Sequence, residues 1–315
     1  MRIVAVTARS VRWPLESSGA ARGMWSERES VIVAVRSDDG ATGLGEAAPL
    51  PGMSIDTLED ATRAVADLAA SAPLLIDSRA HASSIADRMT AAPAARFAIE
   101  TALLAALAQH SRTRIAALWS AIPHGELRSA VVCNDPDEAR VAVAAGAKVL
   151  KVKASDPEQV LRISAAVPNV RLRVDANRSW PRAGVLKALE RIALLPIDFV
   201  EEPCIDAHEL LSQRLPCRIA LDESLIELAP AELERAVASP ELAALVCKPT
   251  LLGGFARCMA LAALAHRHGV APIISHSLEG PIGFAACIEL ARSVGADVPV
   301  GLAPHSALDH FWEHV

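Results

Sequence analysis

Lys151 and Lys153 stand one residue apart in Ala147-Lys-Val-Leu-Lys-Val-Lys-Ala154, a run that otherwise reads as a buried strand. Residues i and i+2 of a strand share a face, so both ammonium groups enter one space. Burying a charge is costly unless it is compensated or loses its proton. The chain offers compensating acids in Asp175-Ala-Asn177, Glu201-Glu-Pro203 and Leu221-Asp-Glu-Ser224, and a further lysine in Cys247-Lys-Pro249. Asp175, Glu201 and Asp222 have no histidine or cysteine ligand beside them. Such a donor set suits a hard divalent cation, Mg²⁺ first and Mn²⁺ second. Lys153 and Lys248 flank that point from opposite sides. A lysine next to a second lysine and a metal ion has its charged form disfavoured, which makes it a base near neutral pH. Beside a cation that binds a carboxylate, this base removes the proton α to the carboxylate, and the cation holds the enediolate.

Short strands must deliver these groups to one place. From about residue 128, apolar runs alternate with helical stretches. Strands are expected over 128–133, 147–153, 171–176, 197–202, 218–223, 243–249, 271–276 and 297–302. Helices lie between them, among them Pro157–Val167, Pro181–Leu194, Ala231–Ala238, Phe255–His268 and Ile282–Val294. Asp156 before Pro157 marks one helix start and Ser179 before Pro181 a second. Eight strands with intervening helices predict an α/β fold with a (β/α)8-type TIM barrel. Lys153, Asp175, Glu201, Asp222, Lys248, Ser275 and Gly301 then end successive strands at intervals of 21 to 27 residues. That end of a barrel is where active sites lie. Arg173, two residues before Asp175, shares its inward face and can orient a ligand carboxylate from below.

Residues 1–110 read as a separate α+β domain, and 111–315 as the barrel. Strands are expected over 2–9, 30–37 and 41–47, the last two joined by a turn at Asp38-Asp-Gly40. Between the first two, Ser10–Glu29 reads as a long polar loop, a feature usually functional or mobile. Helices follow over 55–71, 81–90 and 94–110. No helix follows Gly43-x-Gly45, so the pair belongs to a hairpin and not to a dinucleotide site.

Composition narrows the class. The 315 residues are 52% hydrophobic with no tyrosine, so Ala, Leu, Val and Ile must fill the core. A net charge of −6 without basic runs argues against nucleic acid. Six cysteines without C-x-x-C spacing are expected to be free thiols. No apolar stretch reaches the ~18 residues of a membrane span, and the first residues do not form a signal peptide; a soluble cytoplasmic protein is expected. His266 and His268 face different ways on a helix, and His310 and His314 lack a third ligand, so zinc is not expected.

Lys151-Val-Lys153, Asp175-Ala-Asn177, Glu201-Glu-Pro203, Asp222-Glu-Ser224 and Lys248-Pro249 together resemble the motif set of the enolase superfamily, muconate-lactonizing-enzyme subgroup. A Lys base with Mg²⁺ is one pattern of that superfamily. Within it, Leu50-Pro-Gly-Met-Ser54, Asp175-Ala-Asn-Arg178, Glu201-Glu-Pro-Cys204, Lys248-Pro-Thr-Leu251, Ser275-His-Ser-Leu-Glu279 and Gly301-Leu302 are most similar to the o-succinylbenzoate synthase family of menaquinone biosynthesis. The resemblance spans nearly the whole chain and implies that the N-terminal domain caps the barrel.

It further implies that Lys153 removes the α-proton of 2-succinyl-6-hydroxy-2,4-cyclohexadiene-1-carboxylate and then helps the hydroxyl leave as water. Lys248 stabilises the enediolate, and Asp175, Glu201 and Asp222 hold Mg²⁺. Lys151 supports the substrate carboxylate and keeps Lys153 basic, while Ser275 and Gly301 line the succinyl pocket. Arg173, Asn177 and Glu223 support the ligands from behind. Three departures bear on substrate choice: Ala303-Pro-His305 where the family more often has an acid, His276 within a Ser-rich stretch, and the Ser10–Glu29 segment. Sister activities on such a site are N-succinylamino-acid racemase, dipeptide epimerase and cycloisomerase. Dipeptide epimerases carry an Asp-x-Asp at the eighth strand, and nothing like it stands near Gly301. A non-catalytic binding barrel is a further alternative, which the lysine pair and carboxylate triad argue against. The expected partner is a small carboxylate, and the oligomeric state is left open.

Overall fold

The computed structural model describes residues 1–15, 26–123, 125–295, 298–304 and 308. Strands β1 (Arg2–Pro14), β2 (Glu27–Ser37), β3 (Thr42–Ala47) and β4 (Leu74–Leu75) form an antiparallel sheet in the order β3-β2-β1-β4. The β1–β2 ladder runs on to Pro14 opposite Glu27. The ends of the expected Ser10–Glu29 loop are therefore strand, and its centre, 16–25, lies outside the described residues. Sequence pattern hid these ends because the inward side chains there are Trp13, Arg28 and Ser30, all buried, and two of the three are polar.

Helices α1 (Leu58–Ala70), α2 (Arg79–Met89), α3 (Pro93–His110) and α4 (Ile115–Trp119) complete the N-terminal part. The reciprocal Thr57–Asp60 capping box starts α1. Helix α3 is nearly all buried, and its alanines let it lie directly on β3. The two glycines of Gly43-x-Gly45 serve this contact: an added Cβ would sit 2.0 Å from Ala102 O at Gly43 and 1.9 Å from Ala98 O at Gly45.

The barrel follows as β5 (Val131–Cys133), α5 (Pro136–Ala144), β6 (Val149–Lys153), α6 (Pro157–Ala166), β7 (Arg171–Asp175), α7 (Val185–Ile192), β8 (Ile197–Glu201) and β9 (Ile219–Leu221). It continues through α8 (Pro230–Val237), β10 (Leu242–Cys247), α9 (Pro249–Leu252), α10 (Phe255–Arg267), β11 (Ala271–Ile274) and α11 (Pro281–Val294). The seven strands are parallel and neighbours in chain order. Among the described residues, two, Val300 and Gly301, stand for the eighth strand expected over 297–302. Val300 bridges to Ser129 and Gly301 to Ser275, both in parallel sense, which joins the first strand to the last.

Asp156 caps α6 as expected, accepting from Gln159 N at 3.0 Å. Ser179 does not cap a helix: its hydroxyl donates to Ala176 O at 2.6 Å, and the expected 181–194 helix splits into a 3-10 turn at Arg182–Gly184 and α7. Between β8 and β9 a 3-10 turn over Ala207–Ser212 replaces a full helix. All six cysteines are free. Among the described residues no helix is long and apolar enough to cross a membrane.

Among the helices that lack a capping side chain at their own N-caps, four are capped from elsewhere: α3 (Ala92), α4 (Arg114), α10 (Gly254) and α11 (Gly280). Each receives a carboxylate from far away in sequence. Asp56 accepts from Ala94 N at 2.7 Å, and Glu289 from Ala116 N at 3.0 Å. Glu100 accepts from Phe255 N at 2.6 Å and Ala256 N at 3.1 Å. Glu46 accepts from Gly280 N and Gly283 N, both at 2.8 Å. Three of these four contacts join the N-terminal part to the barrel, where orphan amides and the helix dipole favour a negative charge.

Gly45→Ala should therefore lose about 1–3 kcal/mol or more of stability through overpacking against α3. Gly184→Ala, where an added Cβ meets nothing within 4 Å, should stay within about 0.5 kcal/mol of wild type. Urea unfolding of the two variants checks both expectations.

Candidate active site

Pairing register sets the level of the polar groups. Lys153 lies opposite Asp175, and Asp175 opposite Glu201, so the tips of β6, β7 and β8 end together. Cys247 lies opposite Ile274, which puts Lys248 and Ser275 just beyond the ends of β10 and β11. Asp222 follows β9 directly, and Gly301 bridges to Ser275. The residues expected to meet at one end of the barrel do meet there. Beneath them Phe199, Ala220, Val246 and Ile273 form an apolar layer. This layer closes the barrel below the charges.

All three carboxylates are at most 4% exposed. Lys151 Nζ lies 2.9 Å from both oxygens of Glu201 and 3.0 Å from Asp175 Oδ2. Lys248 Nζ pairs with Asp222. Burial would lower both lysines, but the facing carboxylates outweigh it and raise them above the ordinary lysine value. Lys153 shifts the other way. Burial lowers it, and Lys151 and Lys248 add to the effect against the pull of Asp175.

The acids feel their crowding. Burial, then the like charges of Asp175 and Asp222, push Glu201 up to about 8. Burial pushes Asp222 up to about 6, with Lys248 opposing and Glu223 adding to the rise. Burial would raise Asp175 too, but Lys151 and Lys248 hold it below its ordinary value. Among the described residues no three His, Cys, Asp or Glu side chains converge with the geometry of a metal site. Asp175 and Glu201 instead share the Lys151 ammonium, and Asp222 turns to Lys248. The donor set still fits a hard cation, because its donors are carboxylate oxygens only, buried and close together.

The surrounding residues fall into two groups. The Asn177 backbone N–H donates to Asp175 Oδ1 at 3.1 Å. Arg173 directs its hydrogen bonds to Asp198 at 3.4 Å and to Pro299 O at 2.6 Å, with its guanidinium 5.1 Å from the Phe199 ring centroid. It thus braces the barrel floor, and no hydrogen bond joins it to a carboxylate of the triad. Ser275 Oγ donates to Gly301 O at 3.0 Å. Glu223 is buried, and its Oε2 has no hydrogen-bond partner among the described residues. His305 lies outside the described residues. His276 packs edge-on to Phe284 at 5.4 Å and accepts from Leu278 N at 3.1 Å.

Sequence reasoning passed over Glu202, which is fully buried. Its carboxylate accepts from Asp222 N at 2.9 Å, Ser224 N at 2.8 Å, Ser224 Oγ at 3.0 Å and Arg178 Nε at 3.0 Å. Arg178 also reaches both oxygens of Glu227 at 2.7 Å. This network fixes the turn that carries Asp222. Asn177, Arg178 and Glu202 all have positive φ, at 43°, 61° and 40°. Such backbone costs of order 1–3 kcal/mol per residue and persists where surrounding contacts over-determine it. The doubled acid of Glu201-Glu202 was the visible signal; it did not say which of the two faces the cavity.

Comparison with known proteins adds independent findings. The sequence profile of the mandelate racemase / muconate lactonizing enzyme N-terminal domain matches residues 3–119, and that of the enolase C-terminal domain-like family matches 135–314. An o-succinylbenzoate synthase of Pectobacterium atrosepticum is 33% identical over 318 aligned residues, covering 96% of this chain and 90% of that protein. A dipeptide epimerase of Methylococcus capsulatus, crystallised with Mg and the dipeptide L-Arg-D-Lys, superposes with a TM-score of 0.83 at 27% identity, covering 96% and 90% of the two chains. An N-succinyl Arg/Lys racemase of Bacillus cereus shares the fold, with a TM-score of 0.81 at 22% identity over 96% and 88%.

Glu202→Gln removes the charge at the centre of a buried network and places an amide NH₂ among donors. A loss of roughly 3–5 kcal/mol is expected, as for breaking a buried pair. Denaturant unfolding checks it, and a loss below about 1 kcal/mol, the worth of a surface pair, would contradict this reading.

Proposed function

The chain belongs to the enolase superfamily and is an enzyme of it, and on that premise we propose that it is a hydro-lyase converting 2-succinyl-6-hydroxy-2,4-cyclohexadiene-1-carboxylate to o-succinylbenzoate. The observation that carries the reading is the ring itself: Lys153 and Lys248 near the same three buried carboxylates, on strands ending at one level. The name of the Pectobacterium relative, aligned over 96% of the chain, supports the choice of reaction.

Lys153 acts as the base. Burial and the neighbouring lysines weaken its hold on a proton; as the free amine it takes the α-proton, so the C–H pair becomes the new double bond of an enediolate. Lys248, held as a cation by Asp222, stabilises the negative charge developing on the carboxylate oxygens. The Lys153 ammonium then gives its proton to the departing hydroxyl. Water leaves, the ring becomes aromatic, and the amine is restored.

Asp175, Glu201 and Asp222 would hold Mg²⁺, which supplies a fixed double positive charge for the substrate carboxylate. Crowding favours it. Asp175, Glu201 and Asp222 are buried side by side, and their like charges help to raise Glu201. A dication among them would relieve that repulsion. Lys151 would then be released toward the substrate carboxylate while Ser275 and Gly301 line the space for the succinyl arm. Asn177 and Glu202 would keep Asp175 and Asp222 in place, and Arg173 and Glu223 would support the ring from behind.

A racemase of N-succinylamino acids would use the same lysines to exchange protons from both faces. A coupled assay with the cyclohexadiene carboxylate, run beside N-succinylamino acids in D₂O, separates the two. Rapid aromatisation with little two-sided α-exchange is expected; fast two-sided exchange without dehydration would overturn the proposal. Lys153→Ala and Lys248→Ala should each lose about 10²–10⁴-fold in kcat while circular dichroism stays unchanged, and near-normal turnover of either would refute its role. Asp175→Asn should weaken Mg²⁺ binding in titration calorimetry. An unchanged isotherm would remove Asp175 from the ligand set.

A further inference from the structure

Arg28 is a cation buried between the two domains with no part in the chemistry above. It lies on β2 at 2% exposure, and its guanidinium donates in three directions. Nη2 reaches Ala48 O at 2.7 Å, Nη1 reaches Pro49 O at 3.0 Å, and Nε reaches Leu278 O at 3.2 Å. Burial works against its charge, while Glu279 and Glu46, one from each domain, favour it.

Leu278 lies three residues beyond Ser275, at the end of β11, and the shared guanidinium brings the carbonyls of Ala48 and Pro49 beside it. Ala48 and Pro49 run into the turn Leu50–Ser54, closed by Leu50 N donating to Ser54 Oγ at 2.7 Å. Leu278 belongs to the connection from Ser275 into α11. Its φ of 59° lies in the left-handed region that leucine avoids. That backbone is gripped from both sides, at its amide by His276 Nδ1 and at its carbonyl by Arg28. Glu279 beyond it accepts from Ser277 N at 2.6 Å and from the Thr250 hydroxyl. A planar fork can serve carbonyls of two separate turns at once, which a lysine ammonium on a flexible stem cannot reproduce.

We infer that Arg28 is a positioning residue for substrate fit: it ties the Leu50–Ser54 turn of the cap to the Ser275–Glu279 segment of the barrel and so sets the space between them. This rests on the proposed reading of that end of the barrel as the substrate site. Arg28 makes no hydrogen bond to Lys153, Lys248 or the three carboxylates, so loosening the tether acts on binding and not on proton transfer.

Arg28→Lys and Arg28→Met test it through two readouts. In steady-state kinetics with the cyclohexadiene carboxylate, KM should rise about tenfold or more with kcat within about threefold, the mark of lost binding. A purely structural role would lower kcat with the active fraction at unchanged KM, and that result overturns the inference. Amide hydrogen exchange, which needs no turnover, should show residues 50–54 and 276–280 losing protection together by about tenfold in Arg28→Lys, with β7 and β8 unchanged. Unchanged exchange in either segment also overturns it. Should both Arg28 variants fail to fold, Leu278→Gly decides, since it loosens the same segment with Arg28 intact: a raised KM at wild-type Tm supports the inference and a wild-type KM overturns it. A wild-type enzyme inactive on this substrate, with the joint loss of protection present, counts against the proposed function and for the tether.

Discussion

Helix amino termini captured by carboxylates from another segment hold this molecule together. Glu100 and Glu46 leave the N-terminal domain to cap α10 and α11, and Glu289 returns the contact by capping α4. A helix N-cap is worth about 1 kcal/mol, and partly buried charge–dipole contacts reach about 2 kcal/mol. Their geometric effect is larger than their energy. Helices α10 and α11 follow the strands that deliver Lys248 and Ser275, so the cap grips the barrel at the two connections nearest the site. Had these helices carried their own serine or aspartate caps, the two domains would have lost this directional lock.

Charge balance is the second constraint. Phe199, Ala220, Val246 and Ile273 put an apolar layer beneath the ring of charges. Each charge there must be met by another. The lysines answer the carboxylates pairwise, yet Glu201 and Asp222 still bind protons more tightly than exposed acids do. Crowding of buried like charges gives the site its character.

Backbone strain at Asn177, Arg178 and Glu202 belongs to the same design. These residues turn the chain sharply beyond β7 and β8 so that Asp175 and Glu201 can face inward while Glu202 faces back into the wall. The Glu202 hydrogen bonds to Asp222 N and Ser224 carry the constraint to the next strand. Neighbouring strand tips are thereby positioned by one another and not by their own loops.

The sequence by itself determined the barrel, its polar tips and the order in which they come. Strand periodicity and the recurring spacing of acids and lysines are local signals, and local signals survive in one dimension. The capping role of Asp156 was legible for the same reason, as was the hairpin at Gly43-x-Gly45. The partners were not legible. Arg28, Glu46, Glu100 and Glu202 are buried polar residues whose targets lie 17 to 250 positions away, so neither hydropathy nor spacing could distinguish them from solvated ones. The ends of β1 and β2 read as loop on that account, whereas Ser179 turns back to Ala176 O three residues away. Closure through Val300 and Gly301 was likewise decided in three dimensions, because so short a stretch can join the sheet where both neighbours already offer their edges.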